Sequence, residues 1–357
     1  MKIVVLAGGL CPERDVSLLS GTKVCNALRE NGHQAVMVDI YKGLPGYNSK
    51  DLENLFVMDG SLLPDPVIAS MMPDLKAVKA AREKAVTDPF FNQDSQLGPN
   101  VIELCRMADI CFLGLHGGIG ENGMIQATLD VLGIRYTGAD PLSSALAMHK
   151  GVTKHLMNRA GVPSAHGRLI HKKDRGIPLN ELGFSLPCVV KICSGGSSIG
   201  VYIPETEEEY ERALDACFEM EDDVLIEEYI KGREFAVPVI AGKAYPIIEI
   251  IPKSGWFDYE NKYQDGRTEE VCPAPISEEQ TRTMQQYAEK ACSVLGIEVY
   301  ARPDFLMTED GKMVLVEINT LPGLTPASLL PKSAAAAGMS YNEFCERIVE
   351  ESLNKYR

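Results

Sequence analysis

The spacing of apolar positions along this chain changes repeatedly, and each change marks an element. Residues 2–9, KIVVLAGG, form an apolar run closing on two glycines, the pattern of a strand buried on both faces. Residues 17–32, SLLSGTKVCNALRENG, predict a helix stopped at Gly32. HQAVMVDI (33–40) returns to a strand, so a βαβ unit opens an α/β layer. ADICFLGLHGGIGENG (108–123) is a further strand with a glycine-rich loop, and a helix is expected over 124–133. Residues 43–100 are polar and irregular, with one helical stretch near 74–86; they read as a peripheral insertion without a chemical motif.

Beyond residue 139 the pattern predicts a helix over 143–160, a strand PCVVKICS (187–194), a GGSSIGV loop, an acidic helix over 205–219 and a strand DVLIEEYI (223–230). Strands at 234–241 and 244–251 follow, then a loop at 252–272 and a helix at 278–295. VYARPDFLM and KMVLVEIN are strands joined by a TEDG turn, hence a hairpin, and a helix closes the chain near 340–355. There is no internal repeat and no low-complexity tract.

The last strand raises a chemical question. Alternation places Met313, Leu315, Glu317 and Asn319 on one face and Val314, Val316 and Ile318 on the other. Two oxygen-bearing side chains thus stand where the pattern calls for core. Arg302 and Asp304 share a face of the preceding strand by the same rule. If the registers match, Asp304, Glu317 and Asn319 converge. Two carboxylates and an amide oxygen are hard ligands suited to Mg²⁺, which shares its shell with water and phosphate oxygens. A surface hairpin with solvated polar ends is the other reading.

Lys191 lies inside an apolar strand and needs an anion there. Phosphate is one candidate, since the following GGSSIG can turn backbone N–H groups toward it. A merely flexible loop is the alternative, and neither GxxxxGK[ST] nor GxGxxG is present. Glu227 and Glu228 end a strand, where they could serve adenine or simply be solvated. Glu234 could reach a ribose, and Lys150 read alone is a surface helix lysine.

Composition narrows the classes. The 357 residues carry 35 basic and 50 acidic side chains, a net charge of −15, which disfavours a nucleic acid or an anionic membrane surface. The hydrophobic share of 45% is that of a globular protein with room for two or three domains. Ten scattered cysteines without a CxxC pair suit buried thiols in a reducing compartment, and no apolar run is long enough for a membrane span. A soluble cytoplasmic protein is expected.

In order along the chain, GGLCPERDVSLLSG, LHGGIGENGMIQATLDVLGIRYTG, SALAMHK, VVKICSGGSSIGV, VLIEEYIKGREF, YENKY, ARPDF and VEINTLPGLTPASLLP resemble the motifs of the D-alanine–D-alanine ligases of the ATP-grasp superfamily. The likeness spans nearly the whole chain, least clearly at 43–100. It implies an α/β fold, α+β within the ATP-grasp part, in three domains: 1–138 with the 43–100 insertion, 139–230, and 231–357 with a lid loop at about 252–272. ATP would lie between the second and third. The implied reaction phosphorylates the carboxylate of one D-alanine, and the amine of a second then displaces phosphate.

Residue by residue, the resemblance assigns Lys150, Lys191, Ser197 and Ser198 to the ATP phosphates. Glu227, the backbone at Glu228 and Ile230, and Glu234 would hold adenosine. Lys262 would meet the γ-phosphate, and Asp304, Glu317 and Asn319 would bind two Mg²⁺ (or Mn²⁺) ions. Glu13 would take the first substrate's ammonium, with His116 beside it. Arg302 and the N–H of Gly323 would form the oxyanion site; Ser328 and the backbone of Leu329 would hold the second carboxylate. Glu13, Ser197 and Tyr263 match a hydrogen-bonded triad that ties the N-terminal loop to the lid. Tyr263 favours amide over D-lactate ester formation, while D-serine stays open as second substrate. A homodimer is implied by resemblance alone. Two positions depart from the family: His149 replaces a common Asp, and Ile192 a common Pro.

Overall fold

The computed structural model describes all residues except 58–59, 67–72, 87, 89–90, 92–94, 254 and 256–265. The chain folds into two compact units: residues 1–144, 298–301 and 320–357 form one, and residues 145–297 and 302–319 the other. The terminal segment 320–357 packs within the first of these units.

The first unit contains the predicted parallel sheet. Lys2–Ala7 lies between Gln34–Asp39 and Ile110–Leu113, with Val4 opposite both Val36 and Cys111. Ile3 through Ala7 are fully buried, which explains the unbroken apolar run. The first helix begins at Arg14, three residues earlier than the apolar spacing predicts, and ends at Glu30. It lies so close to the sheet that a side chain at Gly21 would come within 2.6 Å of the Ala7 Cβ.

The turn after the first strand has Gly8 and Gly9 at φ of 75° and 90°. Arg14 donates to the Gly9 carbonyl at 2.6 Å and forks Asp39 with both terminal nitrogens. Ser17 accepts from the Gly8 N–H and donates to the Gly114 carbonyl, joining the ends of two strands. The helix Tyr341–Asn354 opens on a reciprocal cap between Ser340 and Glu343 and packs along the first helix, where Asn342 donates to Glu30. A helix at Leu329–Ala336, which periodicity does not reveal, precedes it.

The second unit holds two sheets. One is fully antiparallel, in the order Gly167–His171, Asp223–Glu228, Cys188–Ile192, Val201–Tyr202. The acidic helix Glu207–Met220 buries Tyr210, Leu214 and Phe218 against Cys188, Val190 and Ile226. The other sheet has seven strands. It orders Lys243–Ala244, Val239–Ile240, Tyr300–Met307, Arg233–Ala236, Ile248–Pro252 and Thr268–Val271, with Met313–Asn319 also paired to Tyr300–Met307.

Several expected elements are interrupted. The helix at 143–160 is two helices, Pro141–Met148 and Lys150–Ala160, because His149 leaves helical geometry and caps the second. The strand at 234–241 breaks around Pro238, which has no N–H for the ladder. Within the segment expected as a loop, Thr268–Val271 forms a strand.

Candidate active site

In the second unit, the hairpin registers match. Arg302 lies opposite Asn319 and Asp304 opposite Glu317, so the two carboxylates and the amide are brought together. The register then shifts: Phe305 pairs with Leu315, leaving Val316 as an extra residue. This bulge corrects the strict alternation expected from the sequence. Leu315 is buried whereas Val316 and Glu317 are both partly exposed. Arg302 holds Asp304 with a two-point fork, both bonds 2.8 Å. Among the described residues no group of three or more His, Cys, Asp or Glu is placed to hold a metal; the Asp304–Glu317–Asn319 set supplies two carboxylates and an amide.

Lys150, the first residue of its helix, lies 3.4 Å from Glu317 and donates to the Gly195 carbonyl. Its helix is capped by His149, whose Nδ1 accepts from the Val152 N–H at 3.3 Å. Histidine thus takes over the capping role that Asp would serve.

The anion that Lys191 meets is Glu227. Lys191 and Lys154 each approach this carboxylate at 2.6 Å, and all three side chains are nearly buried. Burial alone would raise the Glu227 carboxyl; the two ammonium groups outweigh it and hold the acid below its ordinary range. Lys154 is pushed down by burial, against the pull of Glu227 and with the push of Lys191. Two cations sharing one anion leave a buried unit of positive charge, a setting that suits a phosphate. Glu228 accepts from the His166 N–H at 2.8 Å and its own N–H donates to the His166 carbonyl. Ile230 follows this strand, and Glu234 lies in the large sheet opposite Ile250 and Leu306.

Ser197 and Ser198 have φ of 51° and 62°, a conformation rare for side-chain-bearing residues. Such strain is retained where a loop serves a ligand. Ile192 packs beneath this loop. A Cβ on Gly195 would meet its Cδ1 at 2.4 Å, and one on Gly200 would meet it at 2.9 Å. Isoleucine is accommodated here because both neighbours are glycine. Lys262 and Tyr263 lie outside the described residues.

In the first unit, Glu13 immediately precedes the first helix, and its carboxylate fills the space beside Gly117: a Cβ there would sit 2.3 Å from Oε2. His116 is buried; its Nδ1 is 2.8 Å from the Leu321 carbonyl and its Nε2 is 2.9 Å from the Ser20 hydroxyl. Gly323 lies close against Ser328: a Cβ there would meet Ser328 Oγ at 2.7 Å and displace that hydroxyl. Ser328 accepts from the Thr325 N–H at 3.1 Å. Leu329 begins its helix, where early N–H groups lack an intrahelical acceptor and suit a carboxylate.

Sequence reasoning did not single out Lys154 or Ser20. Lys154 follows Lys150 by four residues, the spacing of one helix face; Ser20 follows Ser17 by three.

Two family descriptions match the chain: "D-ala D-ala ligase N-terminus" over residues 2–139 and "D-ala D-ala ligase C-terminus" over residues 156–350. The chain is 41% identical over 350 residues to a D-alanine–D-alanine ligase of Pediococcus pentosaceus, covering 98% of this chain and 97% of the relative. It is 40% identical to one of Lacticaseibacillus casei, covering 100% and 97%. Two crystal structures of a D-alanine–D-alanine ligase from Bacillus anthracis are also similar. The one complexed with ATP has a TM-score of 0.74 at 29% identity, covering 99% of this chain and 97% of that one. The other has 0.76 at 31%, covering 99% and 98%.

Proposed function

The chain belongs to the D-alanine–D-alanine ligase family, and on that premise we propose that it joins two D-alanine molecules, with ATP cleaved to ADP and phosphate, to supply a peptidoglycan precursor in the cytoplasm. Among the described residues no helix is long and apolar enough to cross a membrane.

A carboxylate resists amines because its leaving group would be oxide. The first D-alanine's carboxylate oxygen attacks the γ-phosphorus, breaking its bond to ADP and forming an acyl phosphate. The second amine then attacks the acyl carbon, loses a proton, and phosphate leaves. Glu13 binds the first ammonium. Lys150, Lys191, Ser197 and Ser198 hold the phosphates, and Lys262 takes the γ-phosphoryl group. Glu227, the backbone of Glu228 and Ile230, and Glu234 hold adenosine. Arg302 and the Gly323 N–H steady the tetrahedral oxyanion. Ser328 and the Leu329 backbone hold the second carboxylate.

Asp304, Glu317 and Asn319 would hold two Mg²⁺ or Mn²⁺ ions. The fit lies in the donor set: carboxylates directly opposite each other repel and call for positive charge between them. When bound, the ions neutralise phosphate charge during transfer. The three-domain division, and a lid at 252–272 that excludes water and is tied by Tyr263 to Glu13 and Ser197, belong to the same proposal.

The observation that carries this reading is the hairpin register bringing Asp304, Glu317 and Asn319 together. Incubation with ATP, Mg²⁺, D-alanine, D-serine and D-lactate, followed by mass spectrometry, tests it. D-alanyl-D-alanine is the expected product; absence of any D-alanine-dependent product from folded protein rejects the reading. Tyr263 favours the amide over the ester. A homodimer is proposed through the first unit, where exposed Met124 and Val131 share a helix face and Pro141, beside exposed Leu142, packs on Gly123.

A further inference from the structure

Residues 321–324, LPGL, carry the Gly323 N–H proposed for the oxyanion, and this short turn is anchored on both sides of Pro322–Gly323. On one side, the Leu321 carbonyl lies 2.8 Å from His116 Nδ1. A carbonyl can only accept, so that nitrogen carries the ring hydrogen. In the tautomer with that single ring hydrogen Nε2 is an acceptor, and the Ser20 hydroxyl at 2.9 Å donates to it. On the other side, the Leu324 N–H donates to the same Ser20 oxygen at 3.4 Å. The Leu324 carbonyl accepts from the Tyr341 hydroxyl at 2.6 Å. Ser20, His116, Leu321 and Leu324 are all buried, so water does not compete for these groups.

We propose that Ser20 is a positioning residue for the second half of the ligation: one hydroxyl, donating to His116 and accepting from Leu324, fixes the turn and thereby the direction of the Gly323 N–H. This rests on the ligase reading above. Pro322 has no N–H of its own, so the turn depends on anchors at its ends. A donor aimed at an oxyanion loses its effect when displaced by about 1 Å, which costs roughly a hundredfold in rate. The first half-reaction, phosphorylation of D-alanine, does not use that donor. Loss of the anchor therefore slows attack by the second amine at the acyl carbon, while hydrolysis of the waiting acyl phosphate by water at phosphorus, which breaks the P–O bond and forms no acyl oxyanion, continues.

Ser20→Ala and Ser20→Thr are compared with the unaltered enzyme by measuring phosphate and dipeptide released in the same reaction, at several D-alanine concentrations. The unaltered enzyme releases the two in equal amounts. Ser20→Ala is expected to release several times more phosphate than dipeptide and to lower kcat for dipeptide formation, with the KM values for the second D-alanine and for ATP little changed. Ser20→Thr, which keeps the hydroxyl, restores most of the coupling. A phosphate-to-dipeptide ratio unchanged in Ser20→Ala overturns the inference while leaving the ligase reading intact. An unaltered enzyme that makes no dipeptide overturns both. Should Ser20→Ala fail to fold, nitrogen-15 spectra of the unaltered protein, with His116 assigned by comparison with His116→Gln, decide: hydrogen on Nδ1 is expected, and hydrogen on Nε2 alone overturns the inference.

Discussion

Asp304 and Glu317 stand directly opposite each other on adjacent antiparallel strands, two carboxylates in register beside a bulge at Val316. Like charges so placed repel. Arg302 neutralises one, and Lys150 approaches the other at 3.4 Å. A divalent cation does the same more strongly. Glu317→Gln is therefore expected to lower kcat at least about a hundredfold while changing folding stability by less than about 1 kcal/mol. Steady-state kinetics across a Mg²⁺ titration, with thermal melts alongside, check this. Chelation should abolish turnover of the unaltered enzyme, and added Mg²⁺ should restore it.

Glu227 is shared by Lys154 and Lys191. Lys154→Met leaves Lys191 as the one remaining lysine partner, so the loss should be about 2–4 kcal/mol, near the lower end for a broken buried pair. ATP affinity should fall about tenfold as Lys191 and Glu227 shift. Calorimetric ATP titration and denaturant melts measure the two effects. The pH dependence has a defined sign. The folded Glu227 acid is held below its reference value of 4.5, so its stabilisation is complete above that value and lost as pH falls through the lowered one. Lys154→Met should shrink this acid-side loss.

Lys355 is largely buried, donates to the Gly138 carbonyl at 2.6 Å and lies against the Tyr136 and Tyr356 rings. Burial pushes its ammonium down to about 8, against attraction from Glu298, Asp130 and Asp140. The unfolded chain keeps this proton up to about 10.5. Between those values the unfolded state binds more protons, so stability rises with pH across the window. Lys355→Met is expected to abolish that rise, whose size is about 1–3 kcal/mol. Urea melts at pH values across the window test it.

Gly195 and Ile192 are coupled by contact. Gly195→Ala alone should destabilise by about 1–3 kcal/mol and weaken ATP binding, because its Cβ would meet Ile192 Cδ1 at 2.4 Å. Adding Ile192→Ala should recover at least about 0.5 kcal/mol relative to the sum of the two changes. A double-mutant cycle by denaturant melts gives the answer.

The parallel sheet was legible because strands buried on both faces leave an apolar run, as Ile3–Ala7 does. The Asp304–Glu317 hairpin was legible because Glu317 and Asn319 interrupt an apolar strand and TEDG fixes the turn. The bulge at Val316 was not, since a backbone irregularity leaves no residue-type signal. Nor was the break at His149, because neither glycine nor proline marks it and histidine is an uncommon cap. Val201–Tyr202 is too short to show a period. The partner of Lys191 was hidden for a different reason: Glu227 and Lys154 come from distant segments and meet only in three dimensions. The same holds for Ser20, His116 and Leu321, which are joined by bonds spanning 96 and 205 residues.

Activation of a carboxylate by phosphorylation is read out with D-alanine carrying oxygen-18 in its carboxyl group. The released phosphate is examined by mass spectrometry. An acyl phosphate route transfers one labelled oxygen to each phosphate as the second amine displaces it. Dipeptide formation accompanied by wholly unlabelled phosphate would contradict the account.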